Sequence, residues 1–124
     1  MKTLKGEKKS VDMNKYQFYL GKEIKVKVDR PLGNRHPEYG FIYTLNYGYI
    51  PETVSEDGEE IDVYILGVFE PVEEFTGVCR AVVHRYDDEE NKLIVTPENK
   101  EYDVSQMEAL VEFQERFFKY KILV

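Results

Sequence analysis

Residues 57–66 read Asp57-Gly58-Glu59-Glu60-Ile61-Asp62-Val63-Tyr64-Ile65-Leu66, an acidic glycine turn running straight into a strand. In an extended chain successive side chains point to opposite faces, so Ile61, Val63 and Ile65 share one side and Asp62 and Tyr64 the other. The glycine lets the turn fold Asp57 and Glu59 back toward Asp62. Three carboxylates in one pocket raise one another's pKa unless a cation intervenes, and oxygen ligands of this kind suit Mg²⁺ or Mn²⁺. The spacing is not that of an EF-hand loop. A solvated acidic turn is the other reading of the same residues.

The pattern continues on both sides. Residues 23–28 alternate, with Ile24, Val26 and Val28 on one face and Lys25 and Lys27 on the other, which predicts a half-buried strand. Pro31 and Gly33 break it. Residues 34–53 are aromatic-rich, carry Pro37, Gly40, Gly48 and Pro51, and read as extended loop with short strands. Residues 77–84 and 92–96 predict two further strands around the acidic turn Asp87-Asp88-Glu89-Glu90-Asn91. Residues 105–120 predict a helix, with Ser105 as cap and Glu108 completing a capping box; Met107, Leu110, Val111, Phe117 and Phe118 supply its apolar face. Short strands with turns, then one helix near the C-terminus, predict a mainly β fold, a small barrel covered by a helix.

The 124 residues suit one domain, and 42% hydrophobic residues is a globular composition. Residues 1–12 are read as a flexible arm and 13–124 as the single domain; the lysine-rich start has no apolar h-region, so it is not read as a signal peptide. A net charge of −7 argues against a nucleic-acid or anionic-membrane partner, but not against a phosphate substrate, because a bound cation inverts the local field. Cys79, the single cysteine, lies in an apolar run and is expected to be a buried strand residue; one cysteine allows no internal disulfide and fits a reducing cytoplasm. No apolar segment approaches the roughly 18 residues that span a membrane.

Four segments in order carry a family resemblance: Val28-Asp29-Arg30; Tyr43 followed by Asn46-Tyr47-Gly48-Tyr49-Ile50; the acidic turn with Asp62-Val63; and Lys92-Leu93-Ile94-Val95-Thr96-Pro97 after a second acidic turn. From Val28 to Pro97 this pattern resembles the soluble family I inorganic pyrophosphatases. The resemblance implies an OB-like five-stranded β-barrel with a C-terminal α-helix, Mg²⁺ (or Mn²⁺) as cofactor, a small phosphate substrate, and a homo-oligomer. It implies metal binding by Asp57, Glu59 and Asp62, with Asp87, Asp88 and Glu90 as further ligands. Asp62 would bridge two cations and Glu59 would hold the attacking water. Arg30, Tyr43, Tyr47 and Lys92 match phosphate-holding positions, and Tyr120 and Lys121 resemble a late Tyr-Lys phosphate pair.

The chain departs from the family pattern in several ways. It is shorter than usual members and lacks a recognisable N-terminal hairpin. Glu59 stands where Asp is usual and Glu60 where Pro is usual, and loop 31–42, with Arg35 and His36, is longer. His36 has no family counterpart; a loop histidine before proline is read as a surface residue or else a substrate or metal contact. His84 is read as structural and Arg85 as a solvated or loosely phosphate-directed charge. The implied activity is hydrolysis of inorganic pyrophosphate to two phosphates by a metal-activated water. The alternatives are a relative that binds metal and phosphate without turnover, and a hydrolase of a larger diphosphate such as a nucleotide.

Overall fold

The computed structural model describes residues 13–88 and 90–124; the arm expected over 1–12 and Glu89 lie outside the described residues. Helix α1 (Met13–Gln17) precedes strands β1 (Glu23–Arg30), β2 (Asn46–Ile50), β3 (Ile61–Ile65), β4 (Glu74–Arg85) and β5 (Asn91–Thr96). Helix α2 (Val104–Glu115) and strand β6 (Tyr120–Leu123) complete the chain. The sheet runs β1-β2-β3-β5-β4-β6, and a further β1–β4 pairing closes the first five strands into a barrel. The β3–β5 pair is parallel; the others are antiparallel. The expected five-stranded barrel is therefore present, with β6 added outside it along β4. No helix among the described residues is long and apolar enough to cross a membrane.

The alternation read in residues 61–65 separates two cores. Ile61, Val63 and Ile65 join Ile24, Val26, Cys79, Val82, Leu93 and Val95 inside the barrel, with Tyr16 of α1 packed against them. Tyr64 and Leu66 face outward with Ala81, Val83 and Ile94, where Met107 and Val111 of α2 and Ile122 of β6 cover them. Cys79 and Ala81 fall on opposite sides although two residues apart. The register of β4 against β5 slips between them, and a bulge of that kind inserts one residue and reverses the facing. Gly48 is required where β1 passes over β2, because a Cβ there would lie 1.9 Å from the Lys27 carbonyl oxygen.

The helix begins and ends earlier than expected. Its N-cap is Asp103, not Ser105, and the capping box is closed by Gln106, not Glu108. The Asp103 carboxylate accepts from Gln106 N at 2.8 Å, and the Gln106 side chain accepts from Asp103 N at 2.8 Å. Asp is as good a cap as Ser, so the sequence offers two overlapping starts, and the earlier one is used. Residues 116–120 are not helical. Leu110 and Phe117 are exposed, and Tyr120 opens β6, opposite Arg85.

A buried ion pair docks the end of α2 on the barrel. The Arg85 guanidinium donates to both Glu115 oxygens, at 3.0 and 2.8 Å, and the two side chains are 4% and 0% exposed. Tyr64 donates to Glu115 at 2.6 Å, and Phe118 lies flat beneath the guanidinium, 3.6 Å from ring centroid to Cζ. Burial opposes the arginine's charge, but the bonds to Glu115 outweigh it and hold its pKa above the ordinary value. Arg85 is thus neither solvated nor loosely held. Removing one partner of a buried pair typically costs about 3–5 kcal/mol, because the other is left charged and unpaired, whereas replacing both is far milder. Urea unfolding of Glu115→Met should show a loss in that range, and the Arg85→Met/Glu115→Met double variant should lose less than the two single losses added; strict additivity would show that the pair is not coupled.

Candidate active site

The outward face of the barrel, below the end of α2, holds a cleft of about 230 Å³. Register builds it. In the parallel β3–β5 pair Asp62 stands opposite Lys92, and in the β1–β2 pair Arg30 stands opposite Tyr47. All four side chains line the cleft, together with Tyr43 from the preceding loop and Glu90 from the turn before β5.

Lys92, 3% exposed, donates to Asp62 Oδ2 at 3.0 Å and to Glu90 Oε1 at 3.3 Å. Tyr47 donates to the same Asp62 oxygen at 2.9 Å, and Arg85 donates to the same Glu90 oxygen at 2.7 Å. Arg30 reaches the Tyr43 hydroxyl at 3.4 Å, which in turn donates to Gln114 at 2.6 Å; Gln114 donates to Tyr64 at 2.6 Å, and so on to Glu115. One hydrogen-bonded chain therefore runs from Arg30 through α2 to Lys92 and Asp62. Burial raises the Glu90 carboxyl above its usual range, with Lys92 and Arg85 opposing. Burial also raises the Tyr47 and Tyr43 hydroxyls, Asp62 adding to the first and Arg30 opposing at the second, so both remain protonated donors at neutral pH.

An acidic concavity of about 330 Å³ adjoins the cleft, lined by Glu56, Asp57, Asp88 and Glu90. Asp57 accepts from the Ser55 hydroxyl at 2.6 Å and from Glu59 N at 2.9 Å. The Ser55 bond, aided by the Glu59 N–H and opposed by partial burial, holds its carboxyl below the usual range. Asp88 accepts from Glu90 N at 3.1 Å and from Arg85 at 3.2 Å. The carboxylates thus gather in two neighbouring groups with Glu90 in both. Asp62 faces the cleft, Asp57 faces the concavity, and Glu59 is exposed and lines neither. Asp87 turns aside to accept from Lys119 N at 3.1 Å. Among the described residues no three metal-ligating side chains converge on one point, yet Glu56, Asp57, Asp88 and Glu90 set hard carboxylate oxygens around the concavity, the chemistry a divalent cation such as Mg²⁺ takes.

Tyr120 and Lys121 do not line the cleft; Tyr120 packs against the core under α2, and Lys121 is exposed opposite His84. His84 contacts Asn91 at 2.8 Å. His36 is half-buried in the cleft wall, its Nδ1 accepting from Glu38 N and Tyr39 N at 3.0 and 3.1 Å. Asp29, Tyr39, Arg85, Gln114 and Phe118 also line the cleft; of these only Arg85 has a phosphate-directed reading from the sequence. One signal was available: Glu115 lies four residues after Val111 and eight after Met107, so it sits on the apolar stripe of α2. A carboxylate there calls for a buried cationic partner.

A family model described as inorganic pyrophosphatase matches residues 5–123. The inorganic pyrophosphatase of Saccharolobus solfataricus is 34% identical over 90 residues, 69% of this chain and 49% of that protein. That of Nanoarchaeum equitans is 45% identical over 53 residues, 42% of this chain and 28% of that protein. The chain thus spans half or less of the length of these curated relatives. Among solved structures, the inorganic pyrophosphatase of Ehrlichia chaffeensis superposes with a TM-score of 0.61 at 20% identity, covering 82% of this chain and 85% of that one. The Helicobacter pylori inorganic pyrophosphatase gives 0.60 at 16% identity, covering 81% of each; at such identity these two likenesses concern the fold. With the motifs around Arg30, Tyr47, Asp62 and Lys92 gathered on one barrel face and the family model matching nearly the whole chain, the protein belongs to the inorganic pyrophosphatase family.

Proposed function

We propose that this protein hydrolyses inorganic pyrophosphate to two phosphates in a reaction that depends on Mg²⁺, with Mn²⁺ able to replace it. The observation that carries this reading is one cleft in which Arg30 and Lys92 stand beside Asp62 and Glu90. The Arg30 fork suits two phosphate oxygens at once, and Lys92 adds a point charge. Tyr43 and Tyr47 keep their protons and can donate to a leaving phosphate. Asp57, Asp62, Asp88 and Glu90 are the residues we assign to the cation. Mg²⁺ bound there would supply a water of lowered pKa and neutralise developing charge. When phosphate enters, Lys92 can exchange carboxylate for phosphate oxygens, and Asp62 and Glu90 become free to turn to metal. Glu59 and Asp87 are assigned outer roles, because neither lines the cleft or the concavity. The buried lone cysteine fits a reducing compartment, so we assign the protein to the cytoplasm, as a homo-oligomer in line with the family.

One observation favours a second reading, a metal- and phosphate-binding module without turnover: Glu59, the residue the family pattern assigns to the attacking water, stands outside the cleft. Phosphate release from pyrophosphate, measured with Mg²⁺ and again with EDTA, separates the two. We expect release only with Mg²⁺, and no release under any divalent cation would leave the binding module.

Mg²⁺ should also stabilise the fold, since a ligand held only by the native state at 100 times its dissociation constant contributes about 2.7 kcal/mol. Equal melting temperatures in millimolar Mg²⁺ and in EDTA would count against the carboxylate site. Lys92→Met should weaken pyrophosphate binding by about 1.5–3 kcal/mol, the scale of a charged hydrogen bond, while Mg²⁺ affinity without substrate rises because Asp62 and Glu90 lose their competing cation. Calorimetry giving weaker Mg²⁺ binding and unchanged pyrophosphate binding would take Lys92 out of the phosphate site. Asp62→Ala should lower kcat more than 100-fold and Glu59→Ala less than tenfold, a displaced reacting group costing on the order of 100-fold; the opposite ranking in steady-state assays would restore Glu59 to the centre.

A further inference from the structure

His36 lines the cleft from loop 31–42, where the family pattern offers no counterpart for it. The loop folds as a small hairpin: Arg35 and Ile42 form a bridge, His36 N donates to Phe41 O at 2.8 Å, and the Arg35 guanidinium donates to Gly40 O at 2.7 Å. Phe41 anchors it, meeting Phe113 of α2 edge-on at 5.6 Å.

The surroundings of the imidazole fix both its orientation and its proton. Tyr39 stacks on the ring at 4.8 Å and 29°, Tyr43 lies nearly parallel at 6.1 Å and 19°, and Phe41 leans on it at 4.9 Å and 41°. Nδ1 accepts from two backbone amides, Glu38 N at 3.0 Å and Tyr39 N at 3.1 Å. A ring nitrogen that accepts carries no proton, so the proton of the neutral imidazole sits on Nε2. Burial, and after it the charge of Arg30, lowers the imidazole pKa from the ordinary histidine value, with Glu38 opposing; the ring is therefore neutral at pH 7. Among the described residues Nε2 has no hydrogen-bond partner, and it is not closed off from solvent. The one ring edge left open thus carries a donor. It does not suit a cation: Nε2 could ligate a metal only by passing its proton to Nδ1, which already faces two N–H groups.

We infer that His36 is a phosphate-binding residue, its Nε2–H donating to an oxygen of the phosphate held by Arg30. This rests on the reading of the cleft as a phosphate-holding site. A neutral donor suits the place, because a second positive charge beside Arg30 would be repelled before phosphate arrives. The stacked rings and the two amides hold the imidazole ready, so little side-chain freedom is lost on binding.

The two nitrogens can be imitated separately. In His36→Asn the carbonyl oxygen can accept the same two amides, as in an Asx turn, but no donor reaches as far as Nε2. In His36→Gln the longer amide returns a donor near Nε2. The ligand is methylenediphosphonate, whose P–C–P bridge is not hydrolysed, titrated by calorimetry in Mg²⁺ into the natural chain and both variants. His36→Asn should weaken binding by about 10- to 150-fold, the range of a hydrogen bond to a charged group, with its ligand-free melting temperature unchanged, and His36→Gln should bind more tightly than His36→Asn. Nitrogen NMR of the labelled natural chain should show the Nε2–H tautomer, with the Nε2 resonance moving when ligand is added. Undiminished binding in His36→Asn, equal weakening in both variants, or an Nδ1–H tautomer would each overturn the inference, reduce His36 to a turn cap and leave the pyrophosphatase reading intact. If the natural chain binds neither methylenediphosphonate nor orthophosphate in Mg²⁺, the phosphate site and the inference fall together.

Discussion

Arg85 is the point on which the helix, the barrel and the cleft all depend. It ends β4, is almost wholly buried, and is held by Glu115 from the last turn of α2. A guanidinium is always charged and its planar fork matches a carboxylate, so the pairing sets the rotation and height of the helix end and not merely its presence. The same guanidinium holds Glu90 and Asp88. Its neighbours Tyr64, Gln114 and Tyr43 carry the constraint round to Arg30. Groups that would meet phosphate are thus braced from behind by a network with almost no exposure, and a buried polar network that is fully satisfied holds a single arrangement.

The second constraint is the strict two-residue period of the strands. It places Ile61, Val63 and Ile65 in the barrel and leaves Asp62 and Tyr64 outside. A one-residue slip would bury Asp62 among aliphatic side chains, so the hydrophobic effect itself secures the register that sets Asp62 beside Lys92. The parallel β3–β5 pairing then turns two residues thirty positions apart into an ion pair at 3.0 Å. Gly48 belongs to the same economy: the motif residue between Tyr47 and Tyr49 is the place where two backbones come too close for any side chain.

Local signals compete along the C-terminal third of the chain. Asp103 and Ser105 are both good caps, and their capping-box partners Gln106 and Glu108 both stand three residues on, so the local signals alone do not choose between them. Phe117 and Phe118 continue the helical period beyond Glu115, but β6 pairs with β4 from Tyr120 onward, so the helix must stop to let the chain turn back. Charge on a strand end is normally solvated; Arg85 is instead buried, because Glu115, thirty residues on, supplies its partner.

The strand period, the strand-breaking turns and the order of the motifs, and hence the barrel and its family, are legible along the chain, because they follow from local sterics and from burial along a single element. The tertiary structure alone decided which carboxylates share a hollow. Asp57, Glu59 and Asp62 are close in sequence, but the Ser55 hydroxyl and the Glu59 N–H hold Asp57 toward the acidic concavity. Lys92 and Tyr47 hold Asp62 in the cleft. Glu90, which arrives from another strand pair, stands between them. Charges are placed by the partners that offset their desolvation, and those partners come together only when distant strands close the barrel.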